Sequence, residues 1–425
     1  MTHFNFDRIY GKMNKSNKAS AYITYILFVT FYAIGYLMRT SPGVVLPEVS
    51  KTLEMSPLFI GLVSGMFFYG YTLVQPLCGK LCDDREPVQI VITGMIIFAM
   101  GLLAFALAKG MFLLCFARFM IGIGAGPSYI ALQVYQAKAF PGRLFSRLTA
   151  ITILCGNIGC IVSVTPLGAA IDIFGYKYVH CIFALFIVAE AILLSFLIHS
   201  ASYMQTLAAK NNRPQTSGRV FAGFNLIRHN RPLLSLIFIW PLVLVFKLNL
   251  IGLWGVSWFQ VTGKLSIDVA RNFVSCTTIS YIIGAGMVVL TGERFVRASF
   301  FKSVYLAEIV SSIVLLAIIC LHSPFWFGAV IMSLLGVVFG IIDVLNNVVV
   351  FKIVGSNSIG AATGSINVIL FACVFLSQWL SGGFIEIWNR FMQNTILDST
   401  SAFFAMIAAM QLIAFYPFYK AEYKL

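Results

Sequence analysis

The chain has 425 residues, of which 60% are hydrophobic and only 10% are charged. Soluble domains are about 45–50% apolar and about 25% charged, so this composition excludes a water-soluble globular protein and predicts a chain whose solvent is lipid. The formal net charge of +14 does not indicate a nucleic-acid partner, because the basic residues are scattered over short loops.

The first half of the chain contains six apolar segments, each long enough to cross a bilayer as a helix of about 20 residues. A polar tail, residues 1–20, precedes the first segment, and we expect no cleavable signal there because that segment has full membrane length. The predicted spans 1 to 6 lie near 21–46, 58–81, 88–108, 111–136, 147–170 and 178–199. Together they predict one six-helix bundle over residues 21–199.

A basic connector, residues 200–232, follows this half and contains no Asp or Glu. Its cations are Lys210, Arg213, Arg219, Arg228 and Arg231. The predicted spans 7 to 12 lie near 233–257, 270–291, 299–321, 325–350, 358–384 and 400–419, and a short tail, 420–425, ends the chain. The pattern predicts an all-α integral membrane protein with twelve transmembrane helices in two pseudo-symmetric six-helix bundles, 21–199 and 233–419.

The distribution of positive charge predicts the orientation. Of the 29 Lys and Arg residues, 20 fall in segments that are cytoplasmic if both termini are inside, six fall in outer segments and three fall within spans. Lys and Arg accumulate on the cytoplasmic side of membrane proteins, so both termini are predicted to be cytoplasmic. The lack of a glycosylated outer loop and of long tails favours a bacterial inner membrane.

Two motifs in the first half combine glycine with charge. After span 2 the chain has Gly79, Asp83 and Arg85, and span 4 has Arg118 followed by spaced glycines over 122–126. Glycine lets two helices approach closely, and an aspartate can cap a helix N-terminus or pair with an arginine. The second half carries weaker counterparts of both motifs, which indicates two parallel repeats, as known in transporters.

In order and spacing, these motifs resemble those of the major facilitator superfamily, and the resemblance covers nearly all of the chain. It implies alternating access, with Gly79, Asp83 and Arg85 in a cytoplasmic gate and Arg118 in a conformational or proton-coupling role. The sequence departs from the family pattern at Glu86-Pro87, where glycine and basic residues usually follow.

Two cations inside the spans are the main candidates for substrate binding. Arg39 in span 1 and Lys247 in span 7 occupy similar depths in the two halves. Ionisable groups in hydrocarbon are costly and usually functional, and a guanidinium and an ammonium suit a carboxylate or phosphate. The pair resembles the two cations of organic-anion and phosphate-ester exchangers. Lys247 could instead pair with Asp343.

Buried acids and polar groups complete the candidate set. Asp343 in span 10 is the predicted proton-coupling group, because burial would bring its carboxyl into the working pH range. Glu308 could form a structural pair with Lys302, while the sequence does not show whether Glu190 faces the bundle or lipid. Further predicted substrate contacts are Tyr36, Asn157 and Trp254.

These features predict a secondary active transporter for a small polar or anionic metabolite, driven by proton-coupled uptake. Alternatives are an organic-anion or phosphate-ester exchanger, and an efflux transporter of a drug or siderophore. Span 1 carries Arg39 and no acid, which argues against export of cationic drugs. We expect no enzymatic activity, cofactor or metal: the chain lacks a phosphate-binding loop for ATP, and Cys78 and Cys82 read as buried thiols. The expected partners are the substrate, protons and the lipid bilayer, and the protein is expected to be a monomer.

Overall fold

The computed structural model is helical throughout its regular segments. It describes residues 15–84, 86–140, 142–209, 222–291, 297–321, 325–355, 359–392 and 398–423. The helices up to the basic connector are Lys15–Thr40, Pro42–Leu53, Pro57–Asp84, Pro87–Leu107, Met111–Ala125, Pro127–Ala139, Gly142–Val162, Thr165–Phe174 and Tyr176–Ala209. Those that follow are Ala222–His229, Arg231–Asn249, a π-helical turn at Leu250–Trp254, Gly255–Val261, Ile267–Thr291, Ala298–Cys320, Phe325–Val354, Ile359–Phe391 and Ser399–Lys420.

The predicted all-α membrane fold is confirmed. In the described part of the chain, ten spans are long and apolar enough to cross a membrane, and the bent pair Arg147–Val162 and Thr165–Phe174 provides an eleventh. Span 8 forms one continuous helix, Ile267–Thr291, of 25 residues, which gives about 37 Å at 1.5 Å per residue. Polar residues in the middle of the helix, such as Thr277, are buried, whereas Asp268 and Asn272 near its start are exposed.

Prolines break three of the predicted spans, because proline lacks the N–H that the preceding turn would use. Span 1 ends its first helix at Thr40 and resumes at Pro42, so it continues to Leu53 and not only to residue 46. Span 4 is broken before Pro127, and the two helices of span 5 are bent by 46° before Pro166. Each of these three spans is therefore built from two consecutive helices.

The structure divides into two compact units that do not follow the sequence halves. Unit 1 comprises the described parts of Met1–Arg39, Met66–Cys160 and Asp172–Ser217. Unit 2 comprises those of Thr40–Gly65, Ile161–Ile171 and Gly218–Leu425. Unit 2 therefore includes the predicted outer ends of spans 1, 2 and 5. The sequence-based boundaries, 21–199 and 233–419, describe the repeat and stay a prediction.

Glycines bring pairs of helices into backbone contact inside each unit. In unit 1, a Cβ atom added to Gly122 of span 4 would lie 2.1 Å from the backbone oxygen of Phe67 in span 2. In unit 2, a Cβ atom on Gly340 of span 10 would lie 2.1 Å from the backbone oxygen of Tyr281 in span 8. The fourth and tenth spans thus use the same device, as expected of a repeat.

Unit 2 contains a tight packing of the predicted outer helix ends. A Cβ atom on Gly61 of span 2 would lie 2.2 Å from the backbone oxygen of Gln378 in span 11. The side-chain oxygen of Gln378 accepts a hydrogen bond from Ser64 at 2.8 Å. We call this contact between spans 2 and 11 the outer seam. In the same unit, the hydroxyl groups of Thr40 in span 1 and Ser163 in span 5 share a separate hydrogen bond of 2.8 Å.

Candidate functional site

Unit 1 places Arg39 among tyrosines. The guanidinium carbon lies 3.9 Å from the ring centroid of Tyr36, one turn earlier on span 1. The Tyr36 ring lies 4.7 Å from that of Tyr32, which stacks on Tyr129 of span 4 at 5.4 Å. A guanidinium over an aromatic face is stabilised by the ring quadrupole, so this cluster holds a cation beside several hydroxyl groups.

Arg118 lies deeper in the same unit. It is 3% exposed, and its Nη1 donates a 2.7 Å hydrogen bond to the backbone oxygen of Met38 in span 1. Its Nε and Nη2 are buried without a hydrogen-bond partner among the described residues. Arg118 therefore ties span 4 to the turn of span 1 next to Arg39, which fits its predicted conformational role.

Unit 2 contains a partly buried ion pair between spans 7 and 10. The ammonium of Lys247 contacts a carboxylate oxygen of Asp343, and Tyr281 of span 8 donates a 2.9 Å hydrogen bond to the same oxygen. Lys247 is 8% exposed, while the side chain of Asp343 is 24% exposed. The pairing considered from the sequence is thus present, and Asp343 is its more accessible member.

The other predicted substrate contacts are placed differently. Asn157 is half-buried and donates to the backbone oxygen of Ile153 on its own helix at 2.8 Å. Trp254 closes the π-helical turn of span 7 and donates a 2.8 Å hydrogen bond to Ser381 of span 11. Trp254 also lines a small open pocket in unit 2 with Pro42, Lys51 and Leu253. Substrate contact by Asn157 and Trp254 stays a prediction.

The predicted cytoplasmic gate is described only in part. Gly79 and Asp83 lie in the last turns of the span 2 helix, but the side chain of Asp83 and all of Arg85 lie outside the described residues. Glu86 follows as the N-cap residue of span 3. Burial raises the pKa of Glu86, and the positive charge of Lys138 opposes that shift.

Three tyrosines belong to these clusters although the sequence analysis did not select them. Tyr32 lies one helical turn before Tyr36, so the spacing of four residues was a usable signal. Tyr129 and Tyr281 gave no such signal, because their partners lie on other spans. The predicted pair of Glu308 with Lys302 does not form: Lys302 donates to the backbone oxygen of Tyr419 at 2.5 Å.

Comparison with known proteins identifies the family. A family model described as Major Facilitator Superfamily matches residues 28–378. Among solved structures, the nucleoside transporter NupG superposes with a TM-score of 0.67 at 16% identity, covering 95% of this chain and 100% of that chain. The xylose transporter XylE from Escherichia coli gives a TM-score of 0.68 at 12% identity, covering 94% and 97%. At such identities these likenesses show the fold.

Curated relatives are also transporters. The chain is 26% identical to the phosphoglycerate transporter protein of Salmonella typhimurium (strain LT2), over 40% of this chain and 35% of that protein. It is 23% identical to the sialic acid transporter NanX of Escherichia coli (strain K12), over 65% and 62%. It is 27% identical to the hexuronate transporter of Bacillus subtilis (strain 168), over 33% of this chain and 31% of that protein. The matched regions thus span less than two thirds of each relative.

The motifs, the helical membrane fold and these likenesses agree. With a family model that covers most of its length and a fold shared with solved transporters, the chain belongs to the Major Facilitator Superfamily and is an integral membrane transporter of a small molecule, not an enzyme.

Proposed function

We propose that this transporter takes up a small organic anion together with protons by alternating access, and that Arg39 binds the carboxylate or phosphate of the substrate. The observation that carries the proposal is the setting of Arg39, a cation beside several tyrosines. A guanidinium provides two parallel hydrogen bonds to an oxyanion, while aromatic faces and hydroxyl groups suit the carbon skeleton of a sugar acid. The names of the three curated relatives, which are transporters of phosphoglycerate, sialic acid and hexuronate, support this substrate class.

The Lys247–Asp343 pair supports the proposed coupling to protons. Neutralising one partner of a fully buried ion pair costs about 3–5 kcal/mol, because the other charge is left uncompensated, and we expect a smaller cost of the same sign for this partly buried pair. Protonation of Asp343 would leave Lys247 in that state, and binding of an anion would relieve it. Proton and anion would therefore favour each other's binding, which is the linkage that symport requires.

The remaining features of the proposal concern the cycle and the setting. Gly79, Asp83 and Arg85 gate the cytoplasmic side, and Arg118 transmits the change through span 1. The positive-inside pattern supports cytoplasmic termini. The bacterial relatives support a location in a bacterial inner membrane, and a monomer is the simplest functional form.

The test is uptake into proteoliposomes of labelled glucuronate, sialic acid and 3-phosphoglycerate, with the outside more acidic than the inside. We expect accumulation of at least one of them, driven by the pH gradient. Asp343→Asn should lose accumulation but keep exchange of labelled for unlabelled substrate, because its side chain can no longer gain or lose a proton. Asp268→Asn, an exposed acid at the start of span 8, is the matched control.

Two results would contradict the proposal. Uptake by the wild-type protein that is indifferent to the pH gradient would exclude proton coupling. Gradient-driven accumulation by Asp343→Asn would remove Asp343 from that role.

An anion exchanger is the second candidate, and the same ion pair supports it. An anion can displace Asp343 from Lys247 without any proton. In an exchanger, only the protein with a bound anion changes conformation, so each anion carried in one direction is followed by an anion carried in the other. Strict dependence of uptake on substrate inside the vesicles, with no effect of pH, would favour the exchanger.

A further inference from the structure

A second carboxyl group is buried in unit 2 apart from the ion pair. Glu308 of span 9 is 0% exposed. Its Oε1 accepts hydrogen bonds from the hydroxyl of Ser312 and the amide of Gln411, both at 3.2 Å. Its Oε2 is buried and has no hydrogen-bond partner among the described residues. The carboxyl is thus held in one orientation with half of its hydrogen-bonding capacity unused.

No cation balances this carboxyl within the described part of the chain. The ion pairs found there are Lys51 with Glu48 and Lys247 with Asp343. An ionised carboxylate in a low-dielectric interior without a cation is strongly disfavoured. A carboxylic acid would instead have a proton to donate from the oxygen that now lacks a partner.

Tyr305 lies close enough to both Glu308 and Asp343 to interact electrostatically with each of them. Tyr305, one turn earlier on span 9, donates a 2.8 Å hydrogen bond to Asn346, which lies one turn after Asp343 on span 10. Gln411 of span 12 also donates at 3.4 Å to the backbone oxygen of Leu242 on span 7. Among the described residues, the titratable group that interacts with Glu308 is Tyr305 on its own helix, which also interacts with Asp343 of span 10, while span 12 presents the neutral Gln411.

We propose that Glu308 is a second proton-binding site of the transport cycle, distinct from Asp343. Its carboxylate takes one proton from water on the side of substrate entry and returns it to water on the side of release. This inference rests on the proposed proton-coupled uptake. It changes the charge that is moved: a monovalent anion with one proton on Asp343 carries no net charge, whereas a second proton on Glu308 gives the step a net charge of plus one.

Electrical measurements on proteoliposomes test the inference. With a monocarboxylate substrate such as glucuronate, a negative-inside potassium diffusion potential should stimulate wild-type uptake severalfold. Glu308→Gln, which keeps the shape but not the titratable group, should remain driven by the pH gradient and lose the response to potential. Glu190→Gln is the matched control, since Glu190 of span 6 is also buried, at 4% exposed, without hydrogen-bond partners among the described residues. It should behave as the wild type.

The outcomes separate the two levels of inference. Wild-type uptake that follows pH but ignores the potential would overturn the role of Glu308 and leave the proposed function standing. An unchanged response to potential in Glu308→Gln would do the same. Wild-type uptake that ignores pH would overturn both.

A spectroscopic measurement covers the case in which Glu308→Gln fails to fold. Infrared spectra of the purified protein at neutral pH should contain a carboxylic-acid C=O band that shifts in Ser312→Ala, which removes one hydrogen bond to Glu308. Ser333→Ala, whose hydroxyl bonds only to its own helix in the described structure, should leave the band in place. The absence of a band that responds to Ser312→Ala would contradict the inference.

Discussion

At the scale of single residues, the two cations predicted to bind substrate, Lys247 and Arg39, are stabilised in different ways. Lys247 is neutralised by Asp343, with Tyr281 bonded to the same oxygen. Arg39 is half-buried and lies over an aromatic ring. Ring contacts contribute about 0.5–2 kcal/mol to a cation, whereas a carboxylate neutralises it. The two cations are therefore not equivalent, although the repeat makes them look so in the sequence.

Replacing Arg39 tests whether its guanidinium binds the substrate. Arg39→Ala should abolish uptake, and Arg39→Lys should raise the KM for the anion about tenfold to hundredfold. The reason is that one charge-assisted hydrogen bond contributes about 1.5–3 kcal/mol and lysine loses the second arm of the fork. The measurement is the rate of uptake against substrate concentration in proteoliposomes with equal protein content.

Arg390→Ala provides the control for Arg39, because this arginine is exposed near the end of span 11. It should leave the KM unchanged. An unaltered KM in both Arg39 variants would remove Arg39 from the substrate site.

At the scale of helices, close contacts at glycine and breaks at proline explain the arrangement. Spans 2 and 4 and spans 8 and 10 meet at glycines with almost no space for a side chain. Small residues at helix interfaces allow the backbones to approach, which is the main source of packing energy between helices in lipid. The close contact at Gly340 places Tyr281 of span 8 beside span 10, where its hydroxyl group donates a hydrogen bond to Asp343.

A single methyl group on Gly340 should therefore disturb the ion pair. Gly340→Ala places a Cβ atom 2.1 Å from the backbone oxygen of Tyr281, so spans 8 and 10 must move apart. We expect a loss of about 1–3 kcal/mol in stability, as for other overpacked cores, measured by thermal unfolding in detergent, together with reduced uptake.

Gly286→Ala on the neighbouring span 8 is the matched control, since nothing lies within 4 Å of the added atom. It should be neutral or stabilise by up to about 1 kcal/mol. Equal behaviour of the two variants would mean that the glycine contact does not hold the helices together.

At the scale of the whole molecule, the proposed alternating access requires that the outer seam open and close. In the structure the seam is closed: Gly61 touches the backbone of Gln378, and Ser64 is 0% exposed. Because these residues belong to spans of different sequence halves, alternating access would have to separate them. The predicted outer ends of spans 1, 2 and 5 are grouped with the later spans in unit 2.

A bulky residue at Gly61 should bias the protein toward the open seam. In a Ser64→Cys protein, Gly61→Trp should increase the rate of labelling of Cys at position 64 by a membrane-impermeant thiol reagent severalfold, because the indole cannot fit against span 11. The same protein without Ser64→Cys gives the background from the nine native cysteines.

Gly110→Trp is the control for the outer seam, as a Cβ atom there meets nothing within 4 Å. It should not change the labelling rate. If Gly61→Trp also leaves the rate unchanged, the seam is not the part that opens.

Much of the fold could be predicted from the sequence for a simple reason. A helix in lipid must satisfy its own backbone and present apolar side chains, so each span is a local property of about 20 residues. The extension of span 1 to Leu53 was not predicted, because the effect of Pro42 depends on the helices that pack around the break.

The sequence by itself determined the membrane location, the twelve spans, the repeat and the few charges that lipid would exclude, because all of these follow from composition and short-range pattern. Only the tertiary structure decided which charges meet. The pairing of Lys247 with Asp343 joins residues 96 positions apart, and the bond from Tyr281 to Asp343 joins residues 62 apart. Among the described residues, the tertiary structure left Glu308 without a cation and placed Arg39 beside tyrosines. Such partners depend on how helices rotate and pack, which no local pattern of hydrophobicity specifies.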